Sequence, residues 1–220
     1  DVKDCEWIVQ LLQYGLLRAS YVPDRPQREL RDLTRQRSQW VAEQTRTANR
    51  VHKILEDANI KLGSVATNIL GVSGRGMIEA LIGGGTEVGP MAELARGRLR
   101  EKRPQLQEAL RGHVTEHHRF MLQHLMDHLD FLSGQIEQMD GRIEEQMRPF
   151  EPALEHLMTI PGVGQRTAQN ILVEIGMDMS RFPSAGHLSS WAAICPGNRQ
   201  SAGKHQSGRT NMGNRWLRAA

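Results

Sequence analysis

Leu122, Leu125, Leu129, Leu132, Ile136, Met139 and Ile143 recur at alternating steps of three and four. Apolar residues at that period line up only on an α-helix, and the seam they form must face another helix. The seam runs for about three heptads, far longer than a strand. The middle of the chain is therefore committed to a long, partnered helix. The spacing predicts an antiparallel helical hairpin or coiled coil, made with a helix over 28–55 or with another subunit. Gly134 and Gly141 interrupt it and cost roughly 1 kcal/mol each relative to Ala.

The rest of the chain reads as helices separated by glycine and proline. Trp7, Ile8, Leu11, Leu12 and Leu16 predict one helix over 1–22. Asp24 is placed to cap a second, long helix that tolerates Pro26 in its first turn. Leu30, Leu33, Val41, Ala48, Val51, Ile54 and Leu55 are its apolar positions. Its other faces carry Arg25, Arg28, Arg31, Arg35, Arg37, Arg46, Arg50 and Lys53, a surface that is either solvated or follows a phosphate backbone. Short helical pieces follow, and Gly83-Gly84-Gly85 reads as a break or hinge. Residues 87–147 read as the second long helical region. Pro149 and Pro152 end it and open a separate C-terminal domain.

Only 5% of the 220 residues are aromatic and 39% are hydrophobic, so the core must come from Leu, Ile, Val, Met and Ala. That length suits one large or two small domains. Net charge is +3, but it is uneven: from Ser180 onward there are six Lys or Arg and no Asp or Glu. Such a tail favours a polyanion as partner, unless it is merely a solvated basic surface. Two distant cysteines, Cys5 and Cys195, fit a reducing compartment better than a disulfide scaffold. No run reaches transmembrane length and no signal peptide opens the chain, so a cytoplasmic, non-membrane protein is expected. The chain opens at Asp1 without Met, in helical pattern, as a piece of something longer would.

The stretch "LMTIPGVGQRTAQNILVEIG", residues 157–176, places Gly162-Val163-Gly164 between two apolar runs. It resembles a helix-hairpin-helix DNA-binding motif. The glycines allow a tight turn and bare the amides that open the second helix, where a phosphate can be held. Ala168 lets the helices approach. Contacts of that kind, from Gly162, Val163, Gly164 and Arg166, position a duplex backbone without reading sequence. The alternative is an ordinary helical corner in a core. Further on, Ser184 reads as the N-cap of a short helix through Trp191 and Ile194, ended by Pro196. Ser201 and Ser207 then sit in a small-residue loop over 197–213 among Arg199, Lys204 and Arg209. A serine in that setting can attack a phosphodiester, given a proton acceptor and cations to hold the charge growing on phosphorus. Any Ser/Gly-rich basic loop has the same composition.

At the other end, Asp1 and Asp4 are at i and i+3, on one face of a first helical turn. They can hold part of a Mg²⁺ site, or simply complement the helix dipole. His113/His117 and His124/His128 are i, i+4 pairs, but without accompanying cysteines they read as solvated or interfacial and not as zinc ligands.

Taken in order, Asp1-x-x-Asp4 with "GLLRASYVP", then "RELRDLTRQR", "ANRVHKILEDANIKL", "GVSGRGMIEALIGG", "IPGVGQRTAQNILVEIG", "CPGNRQSAGKHQSGRT" and "GNRWLRAA" resemble the DEDD-type insertion-sequence transposases with a C-terminal serine domain. This is the insertion sequence one-ten family of bridge-RNA-guided recombinases. The resemblance implies a mainly α chain in three parts. Residues 1–23 would end an RNase H-like (RuvC-like) domain, 24–150 would form a coiled-coil region, and 151–220 a helix-hairpin-helix transposase domain. It implies Mg²⁺ held by four acids, of which Asp1 and Asp4 match the last two. It implies Ser201 as the nucleophile that links covalently to DNA, a bridge-type non-coding RNA as guide, and a homo-oligomer, dimer or tetramer. The first two acids of the pattern are absent from these 220 residues, so this chain alone is expected not to recombine DNA. The alternative is a non-catalytic module that only binds DNA or RNA.

Overall fold

The computed structural model describes residues 2–17, 22–195, 199–210 and 213–219, and only the backbone of residues 199–201, 205–207 and 219. Asp1 and Pro196, both singled out above, lie outside the described residues. The fold is mainly α, with one small β-hairpin. In chain order the helices are α1 (Val2–Gln13), α2 (Arg25–Asp57), α3 (Leu62–Val65), α4 (Val72–Ile82), α5 (Val88–Glu93), α6 (Arg103–Ala109), α7 (Glu116–Met147), α8 (Glu151–Met158), α9 (Gln165–Ile175), α10 (Ala185–Trp191) and α11 (Arg215–Ala219). Strands β1 (Arg199–Ser201) and β2 (Lys204–Ser207) lie between α10 and α11. Two compact units result: residues 33–150, and residues 1–32 together with 151–220. The division near residue 32 falls inside α2.

In the unit over 33–150, three cross-links fix how α2 and α7 pair. Arg37 Nη1 donates to Asp140 Oδ1 at 3.1 Å, Gln44 Nε2 to Ser133 Oγ at 2.9 Å, and His118 Nε2 meets Asp57 Oδ2 at 3.0 Å. One partner's number falls as the other's rises, so the helices run antiparallel, and the α7 seam finds its partner within the same chain. Leu122, Leu129, Leu132, Ile136 and Ile143 are buried, while Leu125 and Met139 are half-buried; Met126 and Met147 extend the stripe. The α2 side is more polar than its sequence suggested. Thr34, Arg37 and Thr47 are buried there beside Val51 and Leu55.

The helical region expected over 87–147 is divided into α5, a 3-10 turn over Gly97–Lys102, α6 and α7. Tertiary contacts set the breaks. Gly112 abuts α2's end so closely that a Cβ there would overlap the Ala58 carbonyl. The His113 amide donates to that carbonyl at 2.7 Å, and the Lys61 amide to Ala109 O at 2.8 Å. These bonds satisfy backbone groups that a longer helix would have paired internally. The triple glycine is the break expected there: the Gly85 amide donates to Ala80 O at 2.9 Å with Gly84 at φ 86°, which closes α4. Ile60, Leu62, Ile69, Met77, Ile78, Leu81, Met91 and Leu106 from this region share one core with Val51, Leu55, Leu122 and Leu129. Each such side chain contributes about 1.5–3 kcal/mol by leaving water.

In the other unit, α1 is shorter than the sequence predicts. Gly15 at φ 65° and the Leu16 amide bonding Leu11 O at 3.0 Å terminate it. None of its residues is buried, and Trp7, Ile8, Val9 and Leu12 are exposed. The caps read from sequence are present. The Gln27 amide donates to Asp24 Oδ1 at 3.0 Å, and Ser184 accepts from the His187 amide. The helix Ser184 caps ends at Trp191, and Ile194 lies beyond it, exposed.

Candidate nucleic-acid interface

The α8–turn–α9 corner places three of the candidate DNA contacts on one exposed turn. Gly162 sits at φ 87°, a backbone state that a Cβ strains, so the tight turn requires glycine there. Gly164, the N-cap of α9, is at φ −88° with nothing within 4 Å of where a Cβ would sit. Nothing inside the fold demands a glycine at that place. Val163 is half-buried and pins the turn through its amide to Ile160 O at 3.0 Å. Arg166 follows on the first turn of α9, exposed. Beneath them Leu154, Ala168, Leu172 and Val173 are buried and hold the two helices together.

The other end of α9 is held by one amide and two guanidinium groups. Gln27 Nε2 and Arg31 Nε donate to Val173 O at 2.9 and 3.1 Å, Arg31 Nη2 to Glu174 O at 2.5 Å, and Arg181 Nη2 to Ile175 O at 3.1 Å. Guanidinium groups there satisfy the last carbonyls and complement the helix dipole. Arg31 and Arg37, two of the arginines read as a solvated or phosphate-facing surface, are thus engaged inside the protein. Nearby, Asp178 is held below the usual carboxylate value, first by the Ser180 hydroxyl at 2.6 Å and then by the Ser180 amide.

Ser201 ends β1 of a hairpin and not an irregular loop. Its Cα partner across the tip is Lys204, which opens β2, while Arg199 pairs with Ser207 through a bulge. The two tip residues, Ala202 at φ 49° and Gly203 at φ 74°, both have positive φ, as a mirror-type two-residue hairpin turn requires. Alanine in that state is strained, the kind of local cost that accumulates at functional sites. Lys204 and Arg209 are exposed. The structure thus brings Ser201 and Lys204 together across one turn.

Two residues of this region escaped the sequence reading. Glu174 is only 1% exposed, and Asn214 Nδ2 donates to its Oε2 at 2.6 Å. Arg31 Nε lies 3.6 Å from the same oxygen. A carboxylate at the end of the apolar run "ILVEIG", and an asparagine just ahead of a short helix, were the available signals.

Asp4 stands exposed in the first turn of α1, and its candidate partner Asp1 lies outside the described residues. Among the described residues no group of three His, Cys, Asp or Glu is arranged to hold a metal ion. Asp4 alone does not meet the six-coordinate demand of Mg²⁺. His118, by contrast, is structural. Its Nδ1 accepts the Thr115 amide at 3.1 Å while its own amide donates to Thr115 Oγ1, a reciprocal cap on α7, and its Nε2 reaches Asp57. His124 packs edge-on against Phe120 at 4.3 Å between ring centroids. No helix among the described residues is long and apolar enough to cross a membrane.

The helical corner and the hairpin both lie within residues that comparison with known proteins matches to a transposase family. Residues 154–220 match the family described as "Transposase IS116/IS110/IS902 family", and residues 1–60 match the DEDD transposase of IS110, described as "Transposase". The chain thus carries IS110-family transposase domains over residues 1–60 and 154–220. It is 42% identical over 79 residues to a pilin gene-inverting protein of Moraxella bovis, covering 34% of this chain and 24% of that protein. It is 30% identical over 132 residues to a mini-circle putative transposase for IS117 of Streptomyces coelicolor, covering 60% of this chain and 30% of that protein. The chain thus spans under a third of the length of these relatives. No solved structure matches it.

Proposed function

We propose that this chain takes part in DNA strand cleavage and exchange, with Ser201 as the nucleophile. The observation that carries the reading is the position of Ser201 at the end of β1, next to the strained Ala202-Gly203 tip of a basic hairpin, within residues that match a transposase family. In the step proposed, Ser201 Oγ forms a bond to phosphorus as the bond from phosphorus to one deoxyribose oxygen breaks. The serine proton passes to a base, and the departing oxygen leaves as a hydroxyl. Attack by a new strand's hydroxyl reverses the step and joins that strand. Lys204, Arg199 and Arg209 offset the charge on the phosphate. The α8–α9 turn, through the amides at Gly162, Val163 and Gly164 and through Arg166, holds the duplex backbone, as in a helix-hairpin-helix.

The family resemblance extends the proposal. Asp1 and Asp4 contribute carboxylates toward a Mg²⁺ site. Two acids do not complete such a site, and residues 1–220 alone are expected to bind nucleic acid without recombining it. A bridge-type RNA selects the DNA by pairing, and the protein works as a homo-oligomer. The cytoplasm suits the reaction, and both cysteines are free and exposed.

The test uses protein expressed from its whole reading frame with labelled duplex DNA and the element's RNA. A denaturant-resistant protein–DNA adduct is expected, and Ser201→Ala should abolish it while leaving DNA affinity nearly intact. An adduct that survives Ser201→Ala but is lost with Ser207→Ala would reassign the nucleophile. Binding with no adduct from any form would leave the non-catalytic nucleic-acid module as the correct reading.

A further inference from the structure

The chain leaves the helical unit at Ala193 and returns to it at Gly213, and the two points touch. Ala193 closes α10 in a left-handed turn at φ 55°, with its amide bonded to Ser190 O at 3.0 Å and the Ile194 amide to Ser189 O at 3.1 Å. Glycine normally takes that position. Here Ala192 and Ala193 are buried against the backbone of Gly213, where a Cβ would overlap the Ala193 methyl and lie 2.9 Å from the Ala192 carbonyl. The glycine has been displaced to the other side of the contact. The next residue, Asn214, does two jobs. Its Oδ1 accepts the Trp216 and Leu217 amides at 3.0 and 3.2 Å, which caps α11, and its Nδ2 donates to buried Glu174 Oε2 at 2.6 Å.

We infer that Glu174 and Asn214 form a clamp at the neck of the segment that carries the β1–β2 hairpin, and are positioning residues for Ser201. The clamp ties the returning strand to α9, whose C-terminal carbonyls are themselves fixed by Gln27, Arg31 and Arg181. A two-stranded hairpin is marginally stable in water on its own. With its neck closed on a rigid helix, it ranges over fewer positions, which is what an attacking hydroxyl requires. Glu174 touches no reacting atom; it acts through Asn214. The catalytic consequence rests on the reading of Ser201 as nucleophile, while the clamp itself does not.

Asn214→Asp separates clamp from cap, because aspartate caps a helix as well as asparagine but cannot donate to a carboxylate. Adding Glu174→Gln restores the hydrogen bond with donor and acceptor exchanged. Amide hydrogen exchange is measured on the 220-residue chain in three forms: unaltered, Asn214→Asp, and Asn214→Asp with Glu174→Gln. Exchange over 199–207 is expected to quicken about tenfold in the single variant, the size of effect set by losing one hydrogen bond to a charged group. It should return toward the original rate in the double variant, with α8 and α9 unchanged throughout. Equal hairpin exchange in all three forms would overturn the clamp. So would loosening of α8 and α9 along with the hairpin, which would mark an ordinary folding contact.

The same substitutions are then made in protein from the whole reading frame. The rate of adduct formation should fall and recover in parallel, while DNA affinity stays constant. Adduct formation unchanged by Asn214→Asp would overturn the positioning role. If even the unaltered protein forms no adduct, the Ser201 reading fails, and the exchange data judge the clamp independently.

Discussion

Arg37 on α2 and Asp140 on α7 form an ion pair at 3.1 Å in which the arginine side chain is 3% exposed and the aspartate 25%. A charge so placed within a helical seam fixes register, because a shifted pairing leaves the guanidinium without its carboxylate. Arg37→Ala should destabilise the 33–150 unit by about 3 kcal/mol, the low end for a broken buried pair because Asp140 is partly solvated. Replacing both partners by Met and Leu should cost far less. Urea melts of the single and double variants decide this; equal losses in both would show that the pair is not coupled.

The reciprocal cap at Thr115 and His118 should be worth more than a simple N-cap. Thr115→Ala is expected to cost about 1 kcal/mol. His118→Ala should cost more, since it removes both the bond from the Thr115 amide and the contact with Asp57. Thermal melts of the two variants, compared with Asp57→Ala, separate cap from cross-link.

Gly164 offers a test of the DNA contact that leaves the fold intact. Gly164→Asp should hold or raise stability, because aspartate is a stronger N-cap than glycine and complements the helix dipole. It should weaken DNA binding at least tenfold by placing a carboxylate where a phosphate is expected. Gly164→Asn, of nearly the same shape, should weaken it much less. Binding titrations at two salt concentrations report both effects, and equal affinity for the two variants would remove this turn from the interface.

Asp178 sets an acid-side signature. Its pKa is lowered in the folded protein, so the stability it contributes is present above the ordinary aspartate value and is lost as pH falls through its lower folded value. Carboxyl NMR titration should place Asp178 below an unstructured aspartate, and Ser180→Ala should return it toward the ordinary value. No change on Ser180→Ala would assign the shift to the residue 180 amide, which the substitution keeps, and to Arg181.

Much of the local structure was written in short spacings. The α7 seam, the Asp24 and Ser184 caps and the glycine turn before α9 each depend on residues within a few positions of one another, and all are found where the sequence places them. The break-up of 87–115 was not legible, because it depends on Gly112 meeting Ala58, more than fifty residues away in sequence. Nor was the fate of the arginines. A charged helix face looks the same in sequence whether water, a phosphate or a buried carboxylate lies opposite, and only packing put Asp140 against Arg37 and the end of α9 against Arg31. At the candidate site, the residue types around Ser201 were visible as a basic, small-residue stretch. The hairpin whose backbone includes Ser201 was not, because strands this short show no alternation and the turn places Ala202 against its own backbone preference. Local periodicity thus fixed which segments are helical and where they are capped. Tertiary structure alone decided which helix pairs with which and which charges are buried, because those outcomes depend on distances between residues remote in the chain.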